Sequence, residues 1–485
     1  MISRIGFRIV VLFGLLVGGT AAANVSEWEV EGLPAALDSV SRLELPHDAA
    51  EAASVLLHVL ENAGYPLAEV RIRDKRLIVT FGRIVDVRVE GLRDSSADLA
   101  RRYLETVRGM SPTADQWSHL VALINDMPGA EASVGIYRLD DHGNYGVVVE
   151  GSERRQSGAL SVRNTPTEDL SEKTASLHQE FYALAAGGDV LRIEAVYTDA
   201  ASGSDAYFGE VSYQRPVDAD GAFAEVRVSH FEATSDAKFQ PESSDDSEMT
   251  GVALVLGKAF SRFVGFSRDG YIELDYRAED QGLQGRFDYG VARVSWFEDR
   301  HDSFGNSFSY GLTFSGGTEV SGAGEAFTSL RAGAGFIGWL PMISDSAEFR
   351  IEGSGQIGTA GLPGFELFSF DGANRQRGFS PFEYSGNHGL DINLELADTF
   401  HPWGPAAPRF SPYAFVDASY LNNRSSEGSQ DRPSHNELVS AGVGTRFTLS
   451  SGFSVNSWVA VPVHDGQRSG RARAPEFYLQ GQLTW

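Results

Sequence analysis

The side chains that most often perform catalysis do not form a recognisable motif in this sequence. The 485 residues contain no G-x-S-x-G, no H-E-x-x-H and no phosphate-binding G-x-x-x-x-G-K. The eleven histidines are scattered without the spacing of metal ligands, and cysteine is absent. Asp245, Asp246 and Glu248 could bind a cation, although an acidic loop is more often simply solvated. We therefore expect no enzyme activity, no metal site and no cofactor.

Two short segments combine charged and aromatic residues. Residues 370–379 read Phe-Asp-Gly-Ala-Asn-Arg-Gln-Arg-Gly-Phe, and residues 415–419 read Phe-Val-Asp-Ala-Ser. The candidate site residues in them are Arg377, Gly378, Phe379, Phe415 and Asp417. A guanidinium can bind a carboxylate through two parallel hydrogen bonds, which fixes geometry. What these segments do therefore depends on the elements that position them.

A long series of strands is predicted from residue 156 to the end of the sequence. The clearest alternation places Leu390, Ile392, Leu394 and Leu396 against Asp391, Asn393 and Glu395. In a soluble sandwich the charged face would meet solvent. In a membrane barrel the apolar face meets lipid and the charged face meets the lumen. Alternation alone leaves both architectures open.

Three further features favour a membrane barrel. The region contains about sixteen such segments in roughly 330 residues, which suits tilted strands of about 9–11 residues. Long polar segments (Ser235 to Ser247, Asn422 to His435) alternate with tight turns such as Val217 to Gly221. The last segment ends as outer-membrane barrels usually end, with one face carrying Phe477, Leu479, Leu483 and Trp485. We predict a mainly β fold with a sixteen-stranded antiparallel transmembrane β-barrel over residues 156–485.

The region before the barrel has a different pattern. Residues 1–23 have the charged start, short apolar run and small-residue end of a secretory signal peptide, with cleavage expected near Ala23. Residues 84–152 predict a small α+β module of order β-α-α-β-β. Residues 24–83 predict one helix, His47 to Ala63, and two strands, and so form a shorter first module.

The net charge and the membrane barrel limit the partners. The formal net charge is −26, which argues against nucleic acid as a partner. No stretch after residue 130 approaches the length of an apolar membrane helix. Only helices and closed barrels satisfy every backbone polar group in lipid, so contact with outer-membrane lipid must come through the barrel.

The two α+β modules and the barrel together resemble the two-partner secretion transporters (the TpsB family of haemolysin secretion/activation proteins). These belong to the superfamily that also contains the BamA-type insertases. The family carries an arginine–glycine–aromatic motif, usually preceded by valine, in a long loop that folds into the barrel lumen. Here Gln376 replaces the valine, and the loop is expected from about Gly358 to Asn387. The family pattern F-x-D-x-G is matched by Phe415 and Asp417, with Ser419 in place of the glycine.

The resemblance has definite implications for mechanism. It implies that Arg377 pairs with Asp417 and holds the loop inside the barrel. It also implies two POTRA modules in the periplasm that capture an unfolded secreted exoprotein. It further implies that the barrel lies in the outer membrane of a Gram-negative bacterium and is inserted there by the barrel assembly machinery. Family members often have a pore-plugging N-terminal helix, for which Leu33 to Val40 is the one short candidate.

Two other functions are compatible with these features. A BamA-like factor would insert other barrels into the outer membrane, but such proteins generally carry more than two POTRA modules. A diffusion porin would have no use for residues 24–150. We therefore predict a pore that exports an exoprotein to the cell surface.

Overall fold

The computed structural model describes most of the chain from residue 28 onward. The described part is residues 28–485 without residues 36, 38–39, 41–42, 165–172, 201–203, 235–246, 281–284, 323, 371–374, 381–383, 402–407, 424–433, 450–451 and 467–472. The predicted signal peptide and the acidic residues Asp245 and Asp246 lie outside it. No helix in the described residues is long and apolar enough to cross a membrane. The chain divides into two compact units, the first ending at Glu153 but including Arg262–Val264.

The first unit begins with a small sheet covered by one helix. Its elements are β1 (Glu29–Glu31), α1 (Ala49–Asn62), β2 (Ala68–Arg73) and β3 (Arg76–Phe81), with strand order β1-β3-β2. Helix α1 starts where the Asp48 side chain accepts a hydrogen bond from the Glu51 backbone N at 2.9 Å, which satisfies one free donor of the first turn. Its buried face packs Leu56 and Leu60 against Leu77.

The candidate plug segment packs within this first module. Leu37 and Val40 are buried in the same core as helix α1, and Leu33 packs against that core. Burial of two large aliphatic side chains there is worth about 1.5–3 kcal/mol each. The described part of Leu33 to Val40 is therefore held by the module, and Ala35, Leu37 and Val40 in it have 3-10 helical conformation.

The second part of the first unit has the predicted element order. Its elements are β4 (Arg83–Glu90), α2 (Asp94–Glu105), α3 (Ala114–Asn125), β5 (Ala130–Arg138) and β6 (Asn144–Glu153). Strand β6 lies in the middle, parallel to β4 and antiparallel to β5. A capping box between Thr113 and Gln116 starts α3. The assignment of both modules as POTRA modules stays a prediction.

The second unit is a closed barrel of sixteen strands. In chain order they are β7 (Gln156–Asn164), β8 (Lys173–Tyr182), β9 (Val190–Ala200), β10 (Ser204–Pro216), β11 (Ala222–Thr234), β12 (Ser247–Phe263), β13 (Phe266–Asp280), β14 (Arg286–His301), β15 (Ser307–Glu319), β16 (Ala326–Trp339), β17 (Glu348–Gly358), β20 (His388–Ala397), β21 (Arg409–Asn423), β22 (Ser434–Thr448), β23 (Phe453–Asp465) and β24 (Glu476–Thr484). Between β17 and β20, the short strands β18 (Phe368–Ser369) and β19 (Ser385–Gly386) pair with each other. The predicted mainly β, sixteen-stranded antiparallel barrel is confirmed.

The polarity of the barrel is the reverse of that of a soluble sandwich. On β20 the leucines and isoleucine at 390, 392, 394 and 396 are 37–50% exposed. The polar residues between them, Asp391, Asn393 and Glu395, are only 1–7% exposed. An apolar outside and a charged inside are stable when lipid surrounds the barrel, because lipid cannot solvate charges.

The barrel closes between its last and first strands. Strand β24 pairs with β7 from Gln480–Arg163 to Thr484–Ala159. Beyond that ladder the Asn164 side chain continues the pairing: it donates to the Phe477 carbonyl at 2.7 Å and accepts from the Leu479 backbone N at 2.6 Å. The sequence analysis placed four residues on one face of the last strand. The structure exposes all four on the outside of the barrel: Phe477, Leu479, Leu483 and Trp485.

Candidate functional site

The described residues of a long segment between β17 and β20 lie inside the barrel. Strand β17 ends at Gly358 and β20 begins at His388, so the loop has the bounds expected from the sequence. Its described residues include a short 3-10 turn, Gly364–Glu366, and the β18–β19 pair. Side chains from both ends of the loop bind lumen-facing residues of the wall, as described next. We call this segment, residues 359–387, the lumen loop.

Arg377 attaches the lumen loop to strand β21. Its backbone N and Nε donate to Asp417 Oδ2 at 3.0 and 2.8 Å, and its Nη2 donates to Asp417 Oδ1 at 2.8 Å. Asp417 is fully buried and Arg377 is 4% exposed. The structure thus brings together the two residues whose pairing the family resemblance implied. A buried, bidentate pair of this kind fixes the position of the loop backbone.

A second ion pair, which the sequence analysis missed, extends this contact to β20 and β22. Arg377 Nη1 donates to Glu395 Oε2 at 2.9 Å. Arg446 binds the same carboxylate, with its Nη1 2.7 Å from Oε1 and its Nη2 3.0 Å from Oε2. The two guanidiniums and two carboxylates balance in charge, which lowers the cost of burying them. The alternation of residues along β20 already predicted that Glu395 faces the lumen. Which arginine it meets depends on the register of three strands.

Aromatic rings complete the surroundings of Arg377. The Phe415 ring centroid lies 3.5 Å from Arg377 Cζ, and the Tyr413 ring centroid lies 4.1 Å from Arg446 Cζ. The guanidinium therefore stacks on an aromatic face while its edge binds carboxylates, an arrangement that lysine cannot reproduce. Phe415, predicted from its motif, thus contacts the predicted arginine.

Gly378 and Phe379 hold the loop against the wall in different ways. Gly378 has φ +92°, and a Cβ there would lie 3.1 Å from the Ala460 Cβ, so both conformation and close approach favour glycine. Phe379 is fully buried in an apolar cluster with Phe368, Phe370, Leu421 and Leu438. Arg473 covers this ring, with its Cζ 5.0 Å from the centroid. The triplet therefore combines an ion pair, a close backbone contact and an apolar anchor.

Glu366 attaches the other part of the lumen loop to a different stretch of wall. This residue is 2% exposed, and its carboxylate accepts a hydrogen bond from Arg293 Nη2 on β14. Its backbone carbonyl accepts from Arg331 Nη2 at 2.9 Å and from Gln356 Nε2 at 2.8 Å. Nothing in the local sequence around Glu366 distinguishes it from a solvated loop carboxylate, so the sequence analysis missed it.

Gln376 is the one member of the motif that fits its surroundings poorly. It is fully buried and has φ +55°. Neither of its side-chain amide atoms has a hydrogen-bond partner within the described part of the chain. A buried polar group without a partner costs about 1–3 kcal/mol. The replacement of the usual valine therefore weakens the docked state of the loop.

We predict that Gln376→Met raises the free energy of unfolding by about 1 kcal/mol, because it removes two unpaired polar atoms at similar volume. Methionine, like glutamine, is unbranched at Cβ and tolerates the same backbone conformation better than valine would. Gln356→Met is the matched control, since Gln356 is equally buried but hydrogen-bonded to Glu366 and Arg331. Urea unfolding in detergent should shift in opposite directions for the two variants; shifts of the same sign would contradict the argument.

No group of three or more histidine, aspartate or glutamate residues in the described residues is arranged to hold a metal ion. Of the acidic triplet considered from the sequence, Glu248 lies on β12 and is exposed, and its two neighbours fall outside the described part.

Residues 283–447 match the family model described as haemolysin secretion/activation protein ShlB/FhaC/HecB. The chain is similar to that family. The predicted resemblance is thereby confirmed, and the matched range contains the lumen loop together with Arg377, Glu395 and Asp417. A comparison with curated protein sequences finds no match to this chain.

Solved structures share the fold over almost the whole chain. CdiB from Escherichia coli is 16% identical with a TM-score of 0.79, covering 97% of this chain and 93% of that chain. CdiB from Acinetobacter baumannii is 14% identical with a TM-score of 0.76, covering 97% and 91%. BamA from Haemophilus ducreyi lacking POTRA domains 1–3 is 15% identical with a TM-score of 0.51, covering 95% and 100%. At these identities the likeness establishes the fold alone. Together with the apolar outer face of the barrel, this fold is the fold of an outer-membrane β-barrel protein.

Proposed function

We propose that this chain is a two-partner secretion transporter, which binds an unfolded exoprotein in the periplasm and passes it through the barrel to the cell surface. The observation that carries the proposal is the lumen loop. A buried, charge-balanced network of Arg377, Arg446, Asp417 and Glu395 holds it against the inner wall of the barrel. A plain diffusion porin would have no use for residues 24–150. The matched family range and the CdiB-like fold support the same function.

The first unit offers a binding edge for an extended client. Strand β5 lies at the edge of its sheet, pairing with β6 on one side and with no other strand in the described residues. An extended peptide can add to such an edge through main-chain hydrogen bonds, which give affinity with few sequence requirements. This suits the capture of an unfolded chain before it enters the pore.

The energy for transport comes from the client. The sequence has no phosphate-binding G-x-x-x-x-G-K motif, so nucleotide hydrolysis by this chain is not part of the proposal. Folding of the exoprotein outside the cell removes the unfolded form from the pore exit and makes passage irreversible. The barrel then acts as a gated conduit whose gate is the lumen loop.

Deletion of the gene tests this function against its nearest rival. We expect one large exoprotein to disappear from the culture medium while porins still reach the outer membrane. The BamA-like fold keeps an assembly factor as the second candidate. Loss of folded porins with normal exoprotein release would favour that candidate and overturn the proposal. Capture with the periplasmic half should likewise recover the exoprotein and not porin precursors.

Site-specific crosslinking tests the binding edge. The chain has no cysteine, so a single introduced cysteine can carry a photo-crosslinker without competing sites. Ser133→Cys places it on the exposed edge of β5, and Asp98→Cys places it on the exposed face of α2 as a control. We expect crosslinks to the exoprotein several times stronger from position 133. Equal labelling at both positions would show that β5 is not the binding edge.

A further inference from the structure

A charged cluster lies on the outer face of the barrel, beside the apolar belt. Arg268 is on β13, and Glu298 and Arg300 are on β14. Register pairs Arg268 with Glu298, and Ile272 with Val294 farther along the same strands. Ile272 and Val294 are more than half exposed on the outside of the barrel. Along each strand, the charged residues are an even number of positions from Ile272 or Val294. Their side chains therefore lie on the same, lipid-facing side of the barrel.

The cluster sits at one end of the barrel. Arg268 is near the start of β13, and Arg300 is near the end of β14, so both lie beside the short turns that join these strands to their other neighbours. Strand β13 runs in the same direction as β7, because six antiparallel steps separate them. The cluster therefore lies at the end where the chain enters the barrel, which is the periplasmic end in the proposed function.

Glu298 holds both guanidiniums in place. It is 1% exposed; its Oε2 accepts from Arg268 Nε and Nη2 at 3.1 and 2.9 Å, and its Oε1 accepts from Arg300 Nε at 2.8 Å. The Phe266 ring centroid lies 5.1 Å from Arg268 Cζ and 5.6 Å from Arg300 Cζ. A buried carboxylate and an aromatic face thus orient two arginines before any ligand binds.

The cluster has an unbalanced positive charge at a membrane interface. Two guanidiniums share one carboxylate, and their side chains remain 36% and 60% exposed. Exposed aromatic residues flank it: Phe260 on β12 and Phe308 on β15. Aromatic belts and long cationic side chains occupy the headgroup level of a bilayer, where apolar and charged groups are both solvated.

We propose that Arg268 and Arg300 bind the phosphate of a phospholipid headgroup in the periplasmic leaflet of the outer membrane. The planar fork of arginine matches the oxygens of a phosphate, and the net positive charge of the cluster complements its negative charge. The apolar belt beginning at Ile272 lies where the acyl chains of that lipid would run. The assignment to the periplasmic leaflet rests on the membrane orientation in the proposed function. The phosphate-binding chemistry of the site does not depend on that orientation.

Lipid binding to the purified full-length protein tests this site. Native mass spectrometry in detergent would measure retention of added phosphatidylglycerol. Arg300→Gln should lower the affinity about fivefold, as expected for one cation near a lipid phosphate. Arg286→Gln is the matched control: Arg286 is an exposed arginine at the opposite end of β14, but Asp288 neutralises it. Equal loss of lipid from both variants, or none from Arg300→Gln, would overturn the site.

A variant of opposite sign separates binding from loss of structure. Glu298→Gln removes the one negative charge, so it should raise the affinity for phosphatidylglycerol by about fivefold. Lower affinity in that variant would contradict the charge argument. Inorganic phosphate at millimolar concentration should not displace the lipid, because it gains nothing from the apolar belt; full displacement would show a free-anion site instead. Secretion is not the readout, so failure here leaves the proposed export function intact.

Discussion

Replacing Arg377 with alanine is expected to lower export of the exoprotein by about tenfold or more while the barrel still inserts into the membrane. The change removes two side-chain hydrogen bonds to Asp417 and one to Glu395. Backbone N can still donate, but Asp417 loses its buried counter-charge, and breaking a buried pair costs about 3–5 kcal/mol. A cost of that size lowers the ratio of docked to undocked loop by about a hundredfold or more.

The measurements separate export from assembly. Exoprotein in the culture medium reports export, and heat-modifiable migration of the barrel in gels reports insertion and folding. Arg377→Lys should fall between alanine and wild type, because an ammonium cannot bind Asp417 and Glu395 in the same forked geometry. Normal export by Arg377→Ala would remove the docked loop from the mechanism.

Arg375→Ala is the matched control in the same loop. Arg375 is 42% exposed; its Nη1 donates to Ser354 Oγ at 2.5 Å and lies 3.5 Å from Oδ1 of Asp391, whose side chain is 2% exposed. Arg375 is itself partly solvated and holds its carboxylate at a longer distance than Arg377 does, so its loss should lower export several times less than the loss of Arg377. A loss equal to that of Arg377→Ala would mean that any charge change in the loop disturbs export.

The barrel was predictable because its two faces meet different surroundings. Strands with period two need only one apolar face for lipid, and the residues from Leu390 to Leu396 show this directly. The loop bounds were predictable for the same reason: the alternation stops near Gly358 and resumes after Asn387. The motif residues Arg377 and Asp417 needed the family resemblance, since a single arginine–glycine–aromatic triplet carries little information.

The remaining site residues depend on geometry that local patterns do not contain. Glu395 meets Arg446 because β20 and β22 both pair with β21 in a particular register, Glu395 with Phe415 and Phe415 with Gly442. The alternation of residues along the strands predicts that Glu395 and Arg446 both face the lumen. It does not predict that they meet each other. Glu366 depends on the path of an irregular loop, which has no periodicity to interpret. Long-range ion pairs of this kind are set by tertiary structure and are therefore invisible to sequence periodicity.

The two attachments of the lumen loop lie on different parts of the wall, and this predicts distinct effects for their variants. Arg377 binds strands β20–β22, whereas Glu366 binds β14, β16 and β17. Arg293 is the centre of the second attachment, since it also binds Glu273 and Asp275 of β13. Removing Arg293 would therefore leave several wall and loop carboxylates without a shared cation.

Arg293→Met is expected to lower the free energy of unfolding by about 3–5 kcal/mol, as for other buried charges that lose their partner. Glu366→Gln should leave unfolding much less affected, because Arg293 keeps both wall carboxylates, but it should raise single-channel conductance by loosening the loop. Arg192→Met is the control: Arg192 joins Glu180 and Glu225 within the wall. It should lower stability without changing conductance. Unchanged conductance in Glu366→Gln would mean that the Arg377 contact alone keeps the lumen closed. The loop could then separate from the wall at Glu366 without opening a path for ions.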